Sequence, residues 1–278
     1  MKNALLLILG LLPNLVFSQS LIVMETGKVL TISSEGYHYD NGNFVLPYKI
    51  KHLGGNFLID GRKSLNTVDE NGIYYKLGDK KLPRLIKHTA ENYFISKFGR
   101  IFTVNKAGNI FRGDKSKVYK KIKIKGGRFF VSETKKNNFE LIVINDDGII
   151  LNVKVPFLDP SSIAQVGSNY FVTTTGELFT IDAKGFVYTT KHLGINFSGF
   201  IERGGNYLFN KNRLFTVSAT GLLVEQNSQV IAASKRFMGT NFFITDDQRI
   251  HIVDKNGMIK TSDFPFDVSE VSRISKYE

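Results

Sequence analysis

Seven glycines, Gly36, Gly72, Gly108, Gly148, Gly185, Gly221 and Gly257, punctuate the chain at intervals of 36, 36, 40, 37, 36 and 36 residues. A period held that steadily means that one structural unit is copied along the chain and that neighbouring copies bury each other's apolar faces. What surrounds each glycine defines the unit. Four positions earlier stands a β-branched residue (Ile32, Val68, Val104, Ile144, Ile181, Val217, Val253), and seven positions earlier an aliphatic one (Val29, Leu65, Ile101, Leu141, Leu178, Leu214, Ile250). Threonine is frequent at minus five, as in Thr31, Thr67, Thr103, Thr180 and Thr216. This is the composition of a pleated strand. At minus three comes a short polar residue every time: Ser33, Asp69, Asn105, Asn145, Asp182, Ser218, Asp254. Such a side chain caps its own turn while the glycine takes the positive φ that closes it, so the strand is expected to end in a tight hairpin.

The rest of the unit follows from the same alignment. After the glycine, Ile73-Tyr74-Tyr75, Asn109-Ile110-Phe111 and Phe186-Val187-Tyr188 read as a second strand. Before the glycine-bounded strand, an asparagine and aromatics announce another, as in Asn56-Phe57-Leu58-Ile59, Asn92-Tyr93-Phe94-Ile95 and Asn206-Tyr207-Leu208-Phe209. It returns through turns at Gly27, Gly61, Gly99 and Gly176, and a longer Glu133 to Asn138 turn accounts for the 40-residue interval. One more strand leads each copy: Lys49 to Leu53, Leu85 to His88, Lys121 to Ile124. Four strands of about five residues with short turns fill the 36-residue unit.

A four-stranded antiparallel unit in seven copies predicts an all-β, seven-bladed β-propeller, in which radial closure protects most sheet edges. Helical repeats fail on β-branched content, leucine-rich horseshoes on period, and a β-sandwich on the equality of the intervals. The phase of the repeat predicts how the ring closes. The first copy starts at Leu21-Ile22-Val23-Met24 and lacks a leading strand, while Val268, Val271 and Ile274 follow the seventh copy without one of their own. Asp267 to Ile274 is therefore expected to be the inner strand of the first blade.

Residues 1–18 fall outside the repeat. A lysine start, an apolar run from Ala4 to Leu12 and Val16-Phe17-Ser18 at the cleavage positions read as a secretory signal peptide. The run is broken at Pro13-Asn14. It is too short for a bilayer span, which takes roughly 20 residues. The expected organisation is a leader, 1–18, and one propeller domain, 19–278, of an exported protein: periplasmic, cell-surface or secreted. The full chain carries 37 Lys+Arg against 25 Asp+Glu, a net +12, and removing Lys2 with the leader leaves 36 against 25. That charge favours an acidic partner. With no cysteine there is no disulfide framework, thiolate metal site or cysteine nucleophile.

The run from Asn169 to Tyr188 resembles the repeat of pyrroloquinoline-quinone dehydrogenases and of the outer-membrane assembly propeller lipoprotein, and it is similar to tectonin and, more loosely, to WD repeats. The resemblance covers the chain at the level of the unit and implies the fold rather than an activity. Quinone dehydrogenase and tectonin repeats use tryptophan, and this chain has none. Phe111, Tyr188, Tyr75 and Tyr39 occupy the place of the blade-docking tryptophan, and no functional residue of those families carries over.

Motifs for catalysis are missing: there is no hydrolase elbow, nucleotide loop, zincin helix, EF loop or sialidase Asp box. Loop acids Asp60, Glu133, Glu177, Asp246 and Asp247 are of the class a propeller enzyme would use, but polar turns explain them. The turns at Asp69, Asn145 and Asp254 lie in different blades and so do not converge as calcium ligands. His52 and His88 share a repeat position, yet Ile124 takes it in the next blade and no third metal ligand is evident. Phe57, Tyr93, Phe129, Tyr170, Tyr207 and Phe242 recur as packing core rather than as sugar platforms. No catalytic residue, cofactor or metal is expected.

The basic sector stands out from this background. Lys51, Lys87 and Lys123 hold one repeat position on three successive leading strands, with Arg112, Lys115, Lys117, Lys120, Lys121, Lys125 and Arg128 around the third and Asp114 opposing. Alternation in Lys121 to Lys125 is expected to send the lysines to one face and Ile122 and Ile124 to the other. Lys51, Lys87, Lys123, Lys121, Lys125 and Arg128 are thus the candidate anion-binding residues, as against a solvated stripe of lysines. The expected function is that of a monomeric binding or scaffold propeller recognising an anionic polymer, glycan or envelope protein. Peripheral membrane association fits the charge, and nucleic acid is not an expected partner. An envelope-assembly scaffold and a carbohydrate-active enzyme or lectin are the alternatives.

Overall fold

The computed structural model describes residues 19–46, 49–78, 82–136, 138–155, 159–200, 202–210, 213–226 and 235–275. The expected leader lies outside them. Within them the chain forms seven four-stranded antiparallel sheets, each one repeat unit. The protein is a seven-bladed β-propeller. Blades two to seven run in sequence order, and their leading strands are Ile50–Leu53, Ile86–Thr89, Ile122–Lys125, Ile163–Val166, Glu202–Arg203 and Lys235–Met238.

The first blade joins both ends of the repeat array. Val271–Ile274 pairs with Ser20–Met24, which continues to Lys28–Ile32 and His38–Val45. Ile22 lies opposite Ile274, and the Ser275 amide donates to the Leu21 carbonyl at 2.8 Å. The closing strand is shorter than the sequence implies, because the Asp267 carboxylate accepts from the Ser269 amide and caps a 3₁₀ turn over Val268–Glu270. A capped turn holds those residues out of the ladder, so pairing begins at Val271.

Each glycine-bounded turn forms as the pattern predicts. All seven repeat glycines have φ between +75° and +95°. The residue at minus three accepts turn amides: the Asp69 carboxylate takes Asn71 and Ile73, Asn145 takes Ile149, and the Ser33 hydroxyl takes Tyr37. The turns then link the blades. The amide at minus two of each turn donates to the carbonyl at minus two of the next, from Ser34 to Glu70, Lys106, Asp146, Ala183, Ala219, Lys255 and back to Ser34, at 2.7–3.1 Å. Seven bonds close a circle through seven blades. The minus-five threonines add a second link, with Thr31, Thr103 and Thr180 donating to the carbonyls of Gly72, Gly148 and Gly221 at 2.6–2.7 Å.

The core is divided rather than central. Among the described residues, buried apolar side chains form seven clusters, one between each pair of neighbouring blades. The aromatics Phe57, Tyr93, Phe129, Tyr170, Tyr207 and Phe242 are fully buried. The hydroxyls of Tyr93, Tyr170 and Tyr207 donate to carbonyls of the following blade. The second turn departs from expectation in blade two. Gly27, Gly99 and Gly176 have positive φ, but in the Gly61 turn the left-handed residue is Lys63, which holds the repeat position of Gly27 and Gly99.

Candidate functional site at the channel mouth

The leading strands converge on the propeller axis, since those of blades one, two, three, four and seven line one cavity of about 510 Å³. Its cations are Lys51, Lys87, Lys125 and Arg273, with His52, His88 and Thr89 beside them. Leu53, Ile274 and Phe237 supply an apolar part of the wall. No carboxylate is among its described lining residues.

A bulge in the strand ladder aims several of these side chains. In six of the seven blades the pairing of the leading strand slips by one residue, and the residue skipped is Ser272, Lys51, Lys87, Lys123, Ala164 or Arg236. All six are exposed. A bulge leaves one residue without a ladder partner and turns its side chain off the sheet's alternation. It also reverses that alternation. Ile122 packs with Tyr93 and Ile101 of blade three, while Ile124 packs with Phe171 and Ile181 of blade five. The expected single face for both isoleucines is therefore replaced by two opposite faces.

The six predicted anion-binding residues separate into three settings. Lys51, Lys87 and Lys125 line the cavity together. Lys121 and Lys123 pair with Glu133 at 3.7 and 3.1 Å; this acid lies in the strand Phe129–Lys135, paired with Phe139, rather than in the expected Glu133 to Asn138 turn, and it partly neutralises that part of the basic sector. Arg128 is away from the mouth, with a side chain 5% exposed and paired with Asp146. Burial pushes its pKa down, and Glu91 and Asp182 oppose that shift. Arg273 is the cavity cation that the search for lysines missed. Its signal was the closure itself: once Val271–Ile274 is the inner strand of blade one, Arg273 falls at the repeat position of His52 and His88. One of its guanidinium nitrogens also donates to the Ile50 carbonyl of blade two at 3.0 Å.

The two histidines face a positive surface. Burial first, and then Lys51, lowers the pKa of His52, while burial, Lys125 and Lys87 lower that of His88. Both imidazoles are therefore biased to the neutral form. His52 Nδ1 lies 3.3 Å from the Thr89 hydroxyl. Among the described residues, no three His, Asp or Glu side chains are grouped to hold a metal. The other loop acids have local partners or face solvent. Asp60 accepts from the Arg62 and Ser64 amides, Glu177 from the Thr189 hydroxyl and Asp247 from the Thr245 hydroxyl, and Asp246 is exposed.

No protein-family model and no curated protein matches this chain. Among solved structures it is similar to a streptogramin B lyase, at 13% identity over 86% of this chain and 87% of that one, with a TM-score of 0.34. It is similar to human WBSCR16, at 10% identity over 87% of this chain and 75% of that one, with a TM-score of 0.33. It is also similar to PorZ, a surface component of the type-IX secretion system of Porphyromonas gingivalis, at 10% identity and a TM-score of 0.32. That match covers 91% of this chain and 36% of PorZ. No residue role passes across these likenesses.

Proposed function

We propose that the protein is an exported, non-enzymatic binding propeller that takes an anionic ligand at the channel mouth of blades one to four. The observation that supports this reading is the cavity whose cations, Lys51, Lys87, Lys125 and Arg273, come from four blades and face one space with no carboxylate among its described lining residues. Like charges gathered around a concave, low-dielectric wall focus the field on whatever enters. The apolar contribution of Leu53, Ile274 and Phe237 suits an anionic group carried on a larger body, such as a charged sugar of a glycan or an acidic segment of an envelope protein. Export rests on the leader-like segment from Met1 to Ser18.

The test is binding to heparin by Lys51→Gln/Lys87→Gln/Lys125→Gln beside a control, Lys115→Gln/Lys117→Gln/Lys120→Gln, at exposed positions outside the cavity. Each exposed ion contact is worth about 0.2–1 kcal/mol, so the triple change at the mouth is expected to weaken binding roughly tenfold. The loss should shrink with added salt as the Debye length falls to about 8 Å at roughly 0.15 M. Equal losses in the two variants would show that net charge alone acts and would overturn the site.

A further inference from the structure

On the face formed by the glycine-bounded turns, the repeat places apolar side chains where water would be expected to find polar ones. The residue after each repeat glycine is Tyr37, Ile73, Asn109, Ile149, Phe186, Leu222 or Met258, and the six apolar members are all exposed. Two residues further on, Tyr39, Tyr75, Phe111 and Tyr188 are exposed as well. These rings lie against the next blade: a Cβ at Gly72 would fall 2.6 Å from the Tyr39 ring, and one at Gly221 would fall 2.9 Å from the Tyr188 ring. In four blades the ring two residues on therefore abuts the next blade, and the rotation that relates the blades arranges these apolar positions as a belt around the turn face, interrupted at Asn109 and Lys260. Ten of the fifteen large apolar side chains exposed among the described residues belong to it. Scattered surface apolar residues are ordinary, but ten gathered on one face are the mark of an interface.

In place of the monomer expected from the sequence, we infer that this belt is the contact surface of a homodimer, two copies meeting turn face to turn face. Area and charge favour a second copy. About half of each of ten large side chains, aromatic ones burying about 150–250 Å² apiece, amounts to roughly 800 Å², which is what one partner contributes to a stable interface. The chain's net +12 opposes contact between basic faces. On the turn face the balance differs. At the turn face Glu35, Glu70, Asp146 and Asp147 stand against Lys106, Lys184, Lys255 and Lys260, and several are already engaged: Lys255 with Glu35 at 2.5 Å, Lys106 with Asp147 at 3.9 Å, Asp146 with Arg128, and Lys260 over the Tyr37 ring at 4.0 Å. Approach by this face brings apolar surface together without stacking the excess positive charge. A two-fold axis makes such a contact isologous and closed, so it ends at two copies instead of growing into a filament.

The decisive experiment is sedimentation of the full chain at micromolar concentration. The wild type is expected to be a dimer, and Phe186→Glu/Leu222→Glu to be a monomer with at least about a tenfold higher dissociation constant. Those two side chains are 62% and 66% exposed, so the substitutions should leave the melting temperature of the monomer in place. Phe98→Glu/Leu85→Glu, exposed apolar positions off the belt, should remain dimeric. A monomeric wild type, or equal dissociation in both double variants, overturns the proposal. So does a wild type that stays monomeric and sediments with vesicles of zwitterionic lipid, which would assign the belt to a membrane.

Discussion

The turn ring and the channel mouth are built from the same repeat and obey opposite rules. At the turns every blade does the same job: the glycine turns left-handed and the minus-two amide reaches the next blade, seven times over. At the bulge of the leading strand the residue varies from blade to blade: Ser272, then lysine three times at Lys51, Lys87 and Lys123, then Ala164 and Arg236. Uniformity marks what the ring needs in order to close. Variation at a position freed from the ladder marks where the blades are not interchangeable, and under the proposed function that is where recognition would act.

The comparison breaks most visibly if closure is removed. Truncation before Asp267 deletes the strand paired with Ser20–Met24 and strips Phe242, Ile244 and Leu30 of the packing supplied by Val271 and Ile274. Unpaired strand edges and open blade faces should then produce aggregation or a loss of the cooperative melt, read by light scattering and calorimetry. A truncated chain that melts like the parent would mean that the ring is sealed some other way. Next in size is Gly72→Ala. The glycine sits at φ +83°, and an added methyl would also press on the Tyr39 ring. A left-handed conformation costs an L-residue about 1–2 kcal/mol. A fall of several degrees in melting temperature is expected, whereas Lys51→Gln at the mouth should leave it unchanged.

Acidity sharpens the comparison from the other side. His52 and His88 have lowered pKa values, so they stay neutral through the ordinary histidine value of 6.5 and gain charge only below it. Heparin affinity should therefore rise severalfold between about pH 7.5 and about pH 5, and His52→Asn/His88→Asn should flatten that rise. For stability the sign is reversed. The unfolded chain takes up these protons more readily than the folded one, so this contribution is present above pH 6.5 and is lost as pH falls below it. The smallest effect is expected at the other hairpin. Lys63 is exposed, with φ at +65°, in a left-handed site that glycine fills in other blades. Relieving that conformation by Lys63→Gly should raise stability by up to about 1 kcal/mol, offset in part by the freer unfolded chain. No change in melting temperature would show that the turn is unstrained.

Much of this was legible because turn chemistry is local. An Asp or Ser three residues before a glycine declares a capped left-handed turn wherever it occurs, and seven nearly equal spacings declare the ring. The closing strand was legible by phase, although its start was not, since the Asp267 cap competes with the ladder for the same residues. The site was only partly readable. Period-two reasoning grouped Lys121, Lys123 and Lys125, but the bulge between Ile122 and Ile124 breaks the period and leaves Lys125 at the cavity while the other two reach Glu133. Arg128 looked like one more cation in a basic run. Its repeat position, shared with Asn56, Asn92 and Asn169, is a buried one, and those asparagines donate to carbonyls of the following blade.

In six of the seven leading strands the bulged residue has no partner across the ladder, so exchanging it should cost the sheet's hydrogen bonding little. The propeller thus carries around its axis a short text, Ser, Lys, Lys, Lys, Ala and Arg in the six blades where the slip occurs, that can be rewritten one letter at a time while the binding of blade to blade goes on undisturbed. Under the proposed function such a ring separates the vocabulary of recognition from the grammar of folding, and relatives of this chain would be expected to differ first in those six letters.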